Sequence, residues 1–320
     1  MLRKLYVTRK LPKTILNELS THFKVRYWDS EDIPVPRDVL IQEIADIDAL
    51  YCLITDTIDD GLLSHAKNLK VISTLSVGFN HIDIDSAIKR GIKVTHTPGI
   101  LTDTTADLTF ALLMATARRI PEASEVLRNQ QWQAWSIFNL TGMDIHHATI
   151  GIIGFGEIGQ AVAKRATGFD MNILYYSRTR KIKAEQKLGA TYVTLNELLQ
   201  EADYVVVLTP YNKYTHDLIG ENELSLMKKH AILINTARGG IVNEKALYEA
   251  LKKGTIYASG LDVYEQEPIS IDHPLLNLPN VVTIPHIGSA TIATRLAMCQ
   301  LAAQNTIEAF TKNPKNVVKL

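Results

Sequence analysis

The run Gly154-Phe155-Gly156-Glu157-Ile158-Gly159 has the glycine spacing that suits the binding of a dinucleotide pyrophosphate. Glycines at this spacing allow a tight turn, a close approach of the phosphates to the backbone, and close packing of a helix on a strand. The N-terminus of that helix offers unpaired N–H groups and the positive end of its dipole. An apolar run at 150–153 precedes the turn and a helical run at 160–166 follows it. This context favours a dinucleotide site over the alternative, a glycine turn without a ligand.

The residues after the next predicted strand, 172–176, indicate which dinucleotide is bound. An NAD site usually has Asp or Glu about 20 residues beyond the glycines, where the carboxylate accepts from the ribose 2′-OH. This chain has Ser177-Arg178-Thr179-Arg180 there instead. Hydroxyl and guanidinium groups can bind and neutralise a 2′-phosphate, so NADP(H) is the favoured cofactor and NAD(H) the alternative. The competing interpretation is that Arg178 and Arg180 are simply solvated.

Three later strands are each followed by a side chain that could bind an anion or transfer a proton: Arg238, Glu267 and His286. Ligands in open α/β sheets bind beyond the carboxyl ends of the strands, so these side chains are predicted to share one edge of the sheet. Reduction of a 2-oxo acid needs a cation that holds the carboxylate and polarises the carbonyl, and an acid that protonates the oxygen. The guanidinium fork of Arg238 suits the first role. The residues alone do not distinguish His286 from His146 or His147, and Arg238 could instead form a surface ion pair.

Short β-branched runs alternate with helical patterns along most of the chain, which predicts βαβ units and parallel sheets. The first series has predicted strands at 5–8, 24–28, 49–54, 70–75 and 93–95. The second series has six, the number of a full dinucleotide-binding sheet, at 149–153, 172–176, 204–208, 231–235, 257–261 and 281–284. A long helix at 105–119 and a loop-rich stretch containing Trp132 and Trp135 separate them. A last helix, at about 290–310, is long enough to return to the first domain.

The predicted fold is therefore α/β, with two doubly wound domains and a cleft between them. Residues 1–100 and 287–320 are expected to form a smaller, flavodoxin-like substrate domain, and residues 101–286 a Rossmann dinucleotide-binding domain. Closure of the cleft would exclude water from the reaction.

Composition excludes several classes of function. The 320 residues include 34 Lys and Arg against 34 Asp and Glu, so no net field draws the chain to nucleic acid or to an anionic membrane. The two cysteines, Cys52 and Cys299, give neither a disulfide framework nor the spacing of a metal site. No signal peptide and no apolar run of roughly 18 residues is present. A cytoplasmic protein with no bound metal is expected.

Several motifs, taken together and in order, resemble those of the D-isomer-specific 2-hydroxyacid dehydrogenases, and within that family the glyoxylate/hydroxypyruvate reductases. The resemblance covers nearly the whole chain, and it rests on residues 73–80, 154–159, 235–239, 260–268 and 285–290. It implies that His286 is the acid, that Glu267 is the carboxylate that favours its charged form, and that Arg238 binds the substrate. It also implies a homodimer.

The resemblance assigns further residues to the substrate. The backbone of Val77 and Gly78 would bind the substrate carboxylate, for which the alternative is an ordinary glycine turn that leaves a strand. Ser289 is also expected at the substrate. Trp135 would reach the active site of the neighbouring subunit, or would be only an interface aromatic.

The cofactor residues that the resemblance and the two motifs assign are more numerous. Thr105 resembles a threonine that contacts the phosphates, and Asp262 one that meets the nicotinamide carboxamide. The full set is Thr105, Gly154, Phe155, Gly156, Glu157, Ile158, Gly159, Ser177, Arg178, Thr179, Thr209, Pro210, Thr236, Ala237, Asp262, His286 and Gly288.

The expected function is an NADPH-preferring reductase that converts glyoxylate to glycolate and hydroxypyruvate to D-glycerate. One alternative is a related reductase of another 2-oxo acid, such as 2-ketogluconate or a branched-chain acid. The other is a dinucleotide-sensing binding protein similar to the transcriptional corepressors that share this fold.

Overall fold

The computed structural model describes residues 2–312 and 314–318. The chain folds into two compact units: unit 1, Met1–Leu101 with Thr291–Leu320, and unit 2, Thr102–Ala290. The boundaries expected from the sequence place Leu101 in the second unit and residues 287–290 in the first, whereas the structure includes Leu101 in unit 1 and residues 287–290 in unit 2. The reason is local, because Ile287 N–H donates to the Asp262 carboxylate of unit 2, and the final helix is capped by the Thr291 hydroxyl only afterwards.

Unit 1 is built on a five-stranded parallel sheet with the order β2-β1-β3-β4-β5. This order is the flavodoxin-like, doubly wound one. The strands are β1 (Arg3–Val7), β2 (Phe23–Tyr27), β3 (Ala49–Cys52), β4 (Val71–Thr74) and β5 (Lys93–Thr95). The helices between them are α1 (Lys13–His22), α2 (Arg37–Ile44), α3 (Asp60–Leu63) and α4 (Ile84–Lys89). Every residue of β3 and β4 is buried, as expected of parallel strands that are covered on both faces.

Unit 2 is built on a seven-stranded parallel sheet with the order β12-β11-β10-β9-β6-β7-β8. Its strands are β6 (Thr149–Ile153), β7 (Asn172–Tyr176), β8 (Ala190–Tyr192), β9 (Tyr204–Val207), β10 (Ile232–Asn235), β11 (Ala258–Leu261) and β12 (Val281–Thr283). The strand order reverses between β6 and β9, and such a reversal is where doubly wound folds bind ligands. The prediction of six strands was wrong, because the edge strand β8 has three residues and only Ala190 is buried.

The helices of unit 2 are α5 (Thr102–Ala117), α6 (Ile120–Arg128), α7 (Glu157–Ala166), α8 (Ile182–Leu188), α9 (Leu195–Glu201), α10 (Glu221–Leu226) and α11 (Glu244–Lys253). Short 3₁₀ turns occupy Thr167–Phe169 and Pro274–Asn277. The last helix, α12 (Ile292–Thr311), belongs to unit 1 and packs on β3, β4 and β5, so unit 1 is discontinuous in sequence. None of the described helices is both long and apolar enough to cross a bilayer.

Candidate active site

The glycine turn between β6 and α7 is shaped by three glycines with different surroundings. Gly154 has φ +101°, and a Cβ there would lie 2.6 Å from Thr209 N in the loop after β9. A Cβ on Gly159 would lie 2.2 Å from the Gly154 carbonyl oxygen, so the helix packs directly on the turn. Gly156 caps α7, and a Cβ there would meet no atom within 4 Å. Two glycines are thus required by packing, while the third leaves open space at a helix N-terminus, which fits a pyrophosphate.

The side chains of the turn point to a backbone-mediated site. Phe155 is buried and its ring stacks on Tyr175 with centroids 4.0 Å apart, so only its backbone is available to a ligand. Glu157 is exposed, and its carboxylate accepts from the Thr102 hydroxyl at 3.3 Å. Phosphates would therefore be held by the N–H groups of the first turn of α7, including that of Ile158, rather than by side chains.

The loop after β7 separates the two arginines that the sequence assigned to a 2′-phosphate. The Nε and Nη2 atoms of Arg180 both donate to the Glu185 carboxylate at 2.9 Å. Arg178 is exposed and forms no ion pair within the described residues. The Ser177 hydroxyl donates to the Thr179 carbonyl at 2.8 Å and so closes the loop. Arg178 is the guanidinium that remains available to a phosphate here.

Asp262 carries an acceptor that the described residues leave unused. The side chain is 1% exposed. Its Oδ1 accepts from Ile287 N at 2.6 Å, whereas its Oδ2 is buried with no hydrogen-bond partner among the described residues. Burial raises the pKa of Asp262 to about 6, although the Ile287 N–H and the nearby His286 oppose that shift. A buried carboxylate oxygen without a donor fits a ligand that brings one, such as the amide of a nicotinamide ring.

Three other predicted cofactor residues, Pro210, Thr236 and Gly288, follow strands of the unit 2 sheet, and Thr105 lies in α5. A Cβ on Gly288 would lie 3.2 Å from Asp262 Oδ2 and 3.7 Å from Thr105 Oγ1, so these three residues are neighbours. Thr236 is buried and its hydroxyl bonds the Thr109 hydroxyl at 2.7 Å. Pro210 follows β9, and its carbonyl accepts from the Thr215 hydroxyl at 2.8 Å.

Glu267 and His286 form the pair that the resemblance implied. His286 Nδ1 lies 2.6 Å from Glu267 Oε2, and Glu267 Oε1 accepts from Tyr264 N at 3.0 Å. Burial would raise the pKa of Glu267, but the bonds from His286 and Tyr264 and the charge of Arg238 outweigh it and keep that pKa below its usual range. The backbone of His286 has φ +51° and its N–H donates to Asp262 O at 2.9 Å. The ionised carboxylate orients the imidazole through Nδ1 and leaves Nε2 for a substrate.

Arg238 is held by a turn that was not among the features predicted from the sequence. The Asn235 side chain accepts from Ala237 N at 3.1 Å and donates to Arg238 O at 3.0 Å. Arg238 Nη1 donates to Ala237 O at 2.7 Å. Burial lowers the pKa of Arg238, while the charges of Glu267 and Asp262 partly oppose this effect. An Asn at the end of a strand is the signal for such a turn, and it was present in the sequence.

Gly239 was also missed, and it brings two of the predicted residues together. A Cβ on Gly239 would lie 1.8 Å from the Tyr264 carbonyl oxygen. The loop that carries Arg238 can therefore pack directly on the backbone that carries Glu267. A larger residue at this position would push the two loops apart.

The remaining predicted substrate residues lie in different parts of the chain. Val77 and Gly78 follow β4 in unit 1, with their carbonyls bonded to side chains. Ser289 is half-buried directly after Gly288. Trp135 is 79% exposed and lines a cavity of about 270 Å³ with Leu127 and other residues of α6, and it has no ring contact with His286 among the described residues. Within residues 2–312 and 314–318, no three His, Cys, Asp or Glu side chains are grouped for a metal ion.

Comparison with known families and proteins gives consistent matches. The family model described as "D-isomer specific 2-hydroxyacid dehydrogenase, NAD binding domain" matches residues 110–288. A glyoxylate reductase from Thermococcus litoralis is 48% identical over 321 residues, which cover 98% of this chain and 96% of the relative.

Two solved structures show the same fold with different cofactors bound. An NADPH-dependent glyoxylate/hydroxypyruvate reductase from Sinorhizobium meliloti, in complex with NADP and malonate, is 31% identical with a TM-score of 0.87, covering 99% of this chain and 97% of that one. A D-lactate dehydrogenase from Aquifex aeolicus, complexed with NAD and lactic acid, is 29% identical with a TM-score of 0.85, covering 98% of each chain.

Proposed function

The chain belongs to the D-isomer-specific 2-hydroxyacid dehydrogenases, and we propose that it is an NADPH-preferring reductase of glyoxylate and hydroxypyruvate, with glycolate and D-glycerate as products. Similarity to a glyoxylate reductase over nearly the whole chain supports the substrate class. The observation that carries the proposal is the 2.6 Å bond between His286 Nδ1 and Glu267 Oε2, on the edge of the sheet that also carries Arg238. The same pair argues against a protein that only senses a dinucleotide.

The proposed chemistry assigns one task to each side chain. When bound, the reduced nicotinamide supplies a hydride to the carbonyl carbon. Arg238 holds the 2-oxo acid and polarises its carbonyl, and burial makes its charge more effective than it would be in water. His286 gives a proton to the carbonyl oxygen from Nε2, and Glu267 stabilises the charged imidazole before that transfer. Asp262 Oδ2 would accept from the carboxamide and so orient the ring.

The proposed preference for NADPH depends on the loop after β7. Arg178 is an exposed cation without a carboxylate partner among the described residues. The hydroxyls of Ser177 and Thr179 lie on either side of it in sequence. A 2′-phosphate would find charge and hydrogen-bond donors there, whereas the ribose 2′-OH of NADH would find no carboxylate.

We further propose that the protein works as a homodimer. Six large apolar side chains within one short segment are 53% to 82% exposed: Ile120, Leu127, Trp132, Trp135, Ile137 and Phe138. A concentration of exposed apolar surface on this scale marks an interaction site. A second copy of the chain is the proposed partner, to whose active site Trp135 would contribute.

A steady-state panel tests the proposal. Glyoxylate, hydroxypyruvate, 2-ketogluconate and pyruvate are each offered with NADPH and with NADH, and kcat/KM is compared for the wild type and for His286→Ala. We expect the highest values for glyoxylate and hydroxypyruvate with NADPH, and a loss of turnover in the variant. Folded protein that reduces neither of these acids would contradict the proposal, and a higher kcat/KM for 2-ketogluconate would favour the related reductase.

A further inference from the structure

The loop that follows β4, residues 76–79, has two successive carbonyl groups bonded to side chains. The Val77 carbonyl accepts from His96 Nδ1 at 2.9 Å. The Gly78 carbonyl accepts from the Ser76 hydroxyl at 2.6 Å. We call this segment the carboxylate loop, because the proposed function assigns the substrate carboxylate to it. The Val77–Gly78 and Gly78–Phe79 peptide planes are thus each held by one side-chain hydrogen bond.

The orientation of these carbonyls determines where the N–H groups point. In a planar trans peptide, the carbonyl oxygen and the following N–H point in opposite directions. The bond to His96 therefore turns Gly78 N–H away from His96, and the bond to Ser76 turns Phe79 N–H away from Ser76. Neither N–H donates to any atom of the described residues. Two neighbouring donors are left for a ligand with acceptor oxygens, which is the arrangement of a backbone anion site.

The two side chains that hold the loop are themselves held. The His96 ring lies edge-on to Phe79 with centroids 5.8 Å apart. The His96 carbonyl accepts from Asn305 Nδ2 of α12 at 2.9 Å. The Ser76 hydroxyl is also bonded to the Thr74 hydroxyl at 2.8 Å, and Ser76 is 4% exposed. The orientation of the loop is therefore determined by β4, by the segment after β5 and by α12, not by the loop alone.

We propose that Ser76 and His96 are positioning residues, which fix the Val77–Gly78 and Gly78–Phe79 peptides so that their N–H groups bind the carboxylate of the 2-oxo acid. The inference rests on the proposed function and adds to it the residues that keep the carboxylate loop in its binding orientation. Neither side chain is required to touch the substrate. Donors that are already oriented need no reorganisation when the anion arrives, so loss of either bond weakens anion binding.

The protonation state of His96 does not enter this role. A carbonyl oxygen can only accept, so Nδ1 must carry the proton, and both the Nδ1–H neutral tautomer and the charged ring satisfy that condition. The bond to the Val77 carbonyl therefore forms in either state, and the predicted effect of its loss is on the affinity for carboxylates.

Substitution of His96 gives the first test. His96→Phe keeps a ring against Phe79 but has no N–H, whereas His96→Asn offers an amide donor. The probe is oxalate, titrated by calorimetry into NADPH-loaded protein, with the Kd of NADPH measured separately by fluorescence. We expect His96→Phe to raise the Kd of oxalate at least about tenfold. The variant leaves the Gly78 N–H without a fixed orientation, and the loss of one hydrogen bond from an oriented N–H to a carboxylate corresponds to a change of that size. The Kd of NADPH should stay within about twofold, and His96→Asn should recover most of the affinity for oxalate.

Ser76→Ala is the second variant, and it tests the positioning role independently if His96→Phe does not fold. It removes the bond to the Gly78 carbonyl and creates only a small cavity. The matched control is Thr97→Val, because Thr97 is buried beside this loop and its hydroxyl has no hydrogen-bond partner among the described residues. Ser76→Ala should weaken oxalate binding as His96→Phe does, and Thr97→Val should not. In turnover, KM for glyoxylate should rise by the same factor while kcat changes less.

The outcomes separate the two proposals. If His96→Phe and Ser76→Ala bind oxalate as the wild type does, or if NADPH binding weakens by the same factor as oxalate binding, the positioning role is overturned. If the wild type reduces neither glyoxylate nor hydroxypyruvate, but the variants still lose affinity for oxalate, the proposed function is overturned and the positioning role stands.

Discussion

Arg178 and Arg180 are separated by a single residue, yet only Arg180 has a carboxylate partner, Glu185, in the described structure. This difference predicts that Arg178 binds the 2′-phosphate of the cofactor. Arg178→Ala should raise the KM for NADPH about tenfold, the loss of one strong charge-assisted bond, and should leave the KM for NADH nearly unchanged. Arg180→Ala is the matched control and should have a much smaller effect. Equal increases for both cofactors in Arg178→Ala would refute the 2′-phosphate role.

Asp262 predicts a pH dependence of cofactor affinity. Its pKa of about 6 in the ligand-free protein means that the carboxylate is mostly ionised above that pH and mostly protonated below it. A protonated Oδ2 cannot accept the carboxamide N–H, so affinity should fall as the pH drops through 6, to about tenfold weaker at pH 5 than at pH 8. Titration of NADH by fluorescence at both pH values measures this, because NADH lacks the 2′-phosphate, whose own ionisation near pH 6 would add a second dependence. Asp262→Asn should show no such dependence, and an equal dependence in that variant would exclude Asp262 as its source.

The same carboxyl group affects folding in the opposite direction. Because the folded pKa is raised above the unfolded value, the protonated form favours the folded state. Its contribution to the stability of the ligand-free protein is fully present below the unfolded pKa, near 4, and is lost as the pH rises through about 6. The ionised form of Asp262, which is proposed to bind the carboxamide, therefore lowers the stability of the ligand-free protein.

At the scale of single elements, the turn between β6 and α7 predicts contrasting effects for two glycine-to-alanine changes. Gly159→Ala gains up to about 1 kcal/mol of helix propensity, but its Cβ would lie 2.2 Å from a backbone oxygen. Overpacking against backbone costs about 1–3 kcal/mol or more, so the clash outweighs the propensity and the melting temperature should fall.

Gly156→Ala is the partner experiment. The added Cβ meets no atom within 4 Å, and the residue has φ −76°, so the free energy of unfolding should change by no more than about 0.5 kcal/mol. NADPH affinity should nevertheless fall, because the methyl group occupies the space left for the pyrophosphate. Thermal unfolding and NADPH titration of both variants check the contrast. A stable Gly156→Ala protein with wild-type affinity would mean that the phosphates bind elsewhere.

The sequence predicted most of the elements because parallel strands give a strong signal. A strand such as β9 is a short, wholly buried and mostly β-branched run, and such runs are easily recognised. Strand β8 was missed because it has only three residues, and only one of them, Ala190, is a buried apolar residue. Helix α6 was missed although Pro121 stands in its first turn, where proline is favoured, because the left-handed Arg119 that separates it from α5 has no sequence signature.

The site was predictable to the extent that it depends on strand ends. Arg238, Glu267 and His286 each follow a strand, so topology alone places them on one edge of the sheet. The pairing of Arg180 with Glu185 was not predictable, since it depends on how α8 leaves the loop. The bonds of Ser76 and His96 to the carboxylate loop depend in the same way on how β4 and the segment after β5 lie side by side.

For the whole molecule, the exposed apolar segment predicts the oligomeric state. We expect the wild type to have twice the mass of one chain by light scattering. Phe138→Asp, at a position that is 82% exposed, should give a folded monomer, because a charge cannot be buried in an apolar interface without a partner. Ile271→Asp is the control, since Ile271 is 84% exposed but lies outside the segment. A wild-type monomer, or a dimeric Phe138→Asp variant, would contradict the proposed interface.

Helix α12 completes unit 1 from the far end of the chain, while unit 2 is continuous from Thr102 to Ala290. The strands β3 and β4 are therefore separated by the whole of unit 2 from the helix that packs on them. Contacts between segments so far apart in sequence require the closure of a long loop, which slows folding. We therefore expect unit 1 to refold more slowly than unit 2, whose contacts all lie within one continuous segment.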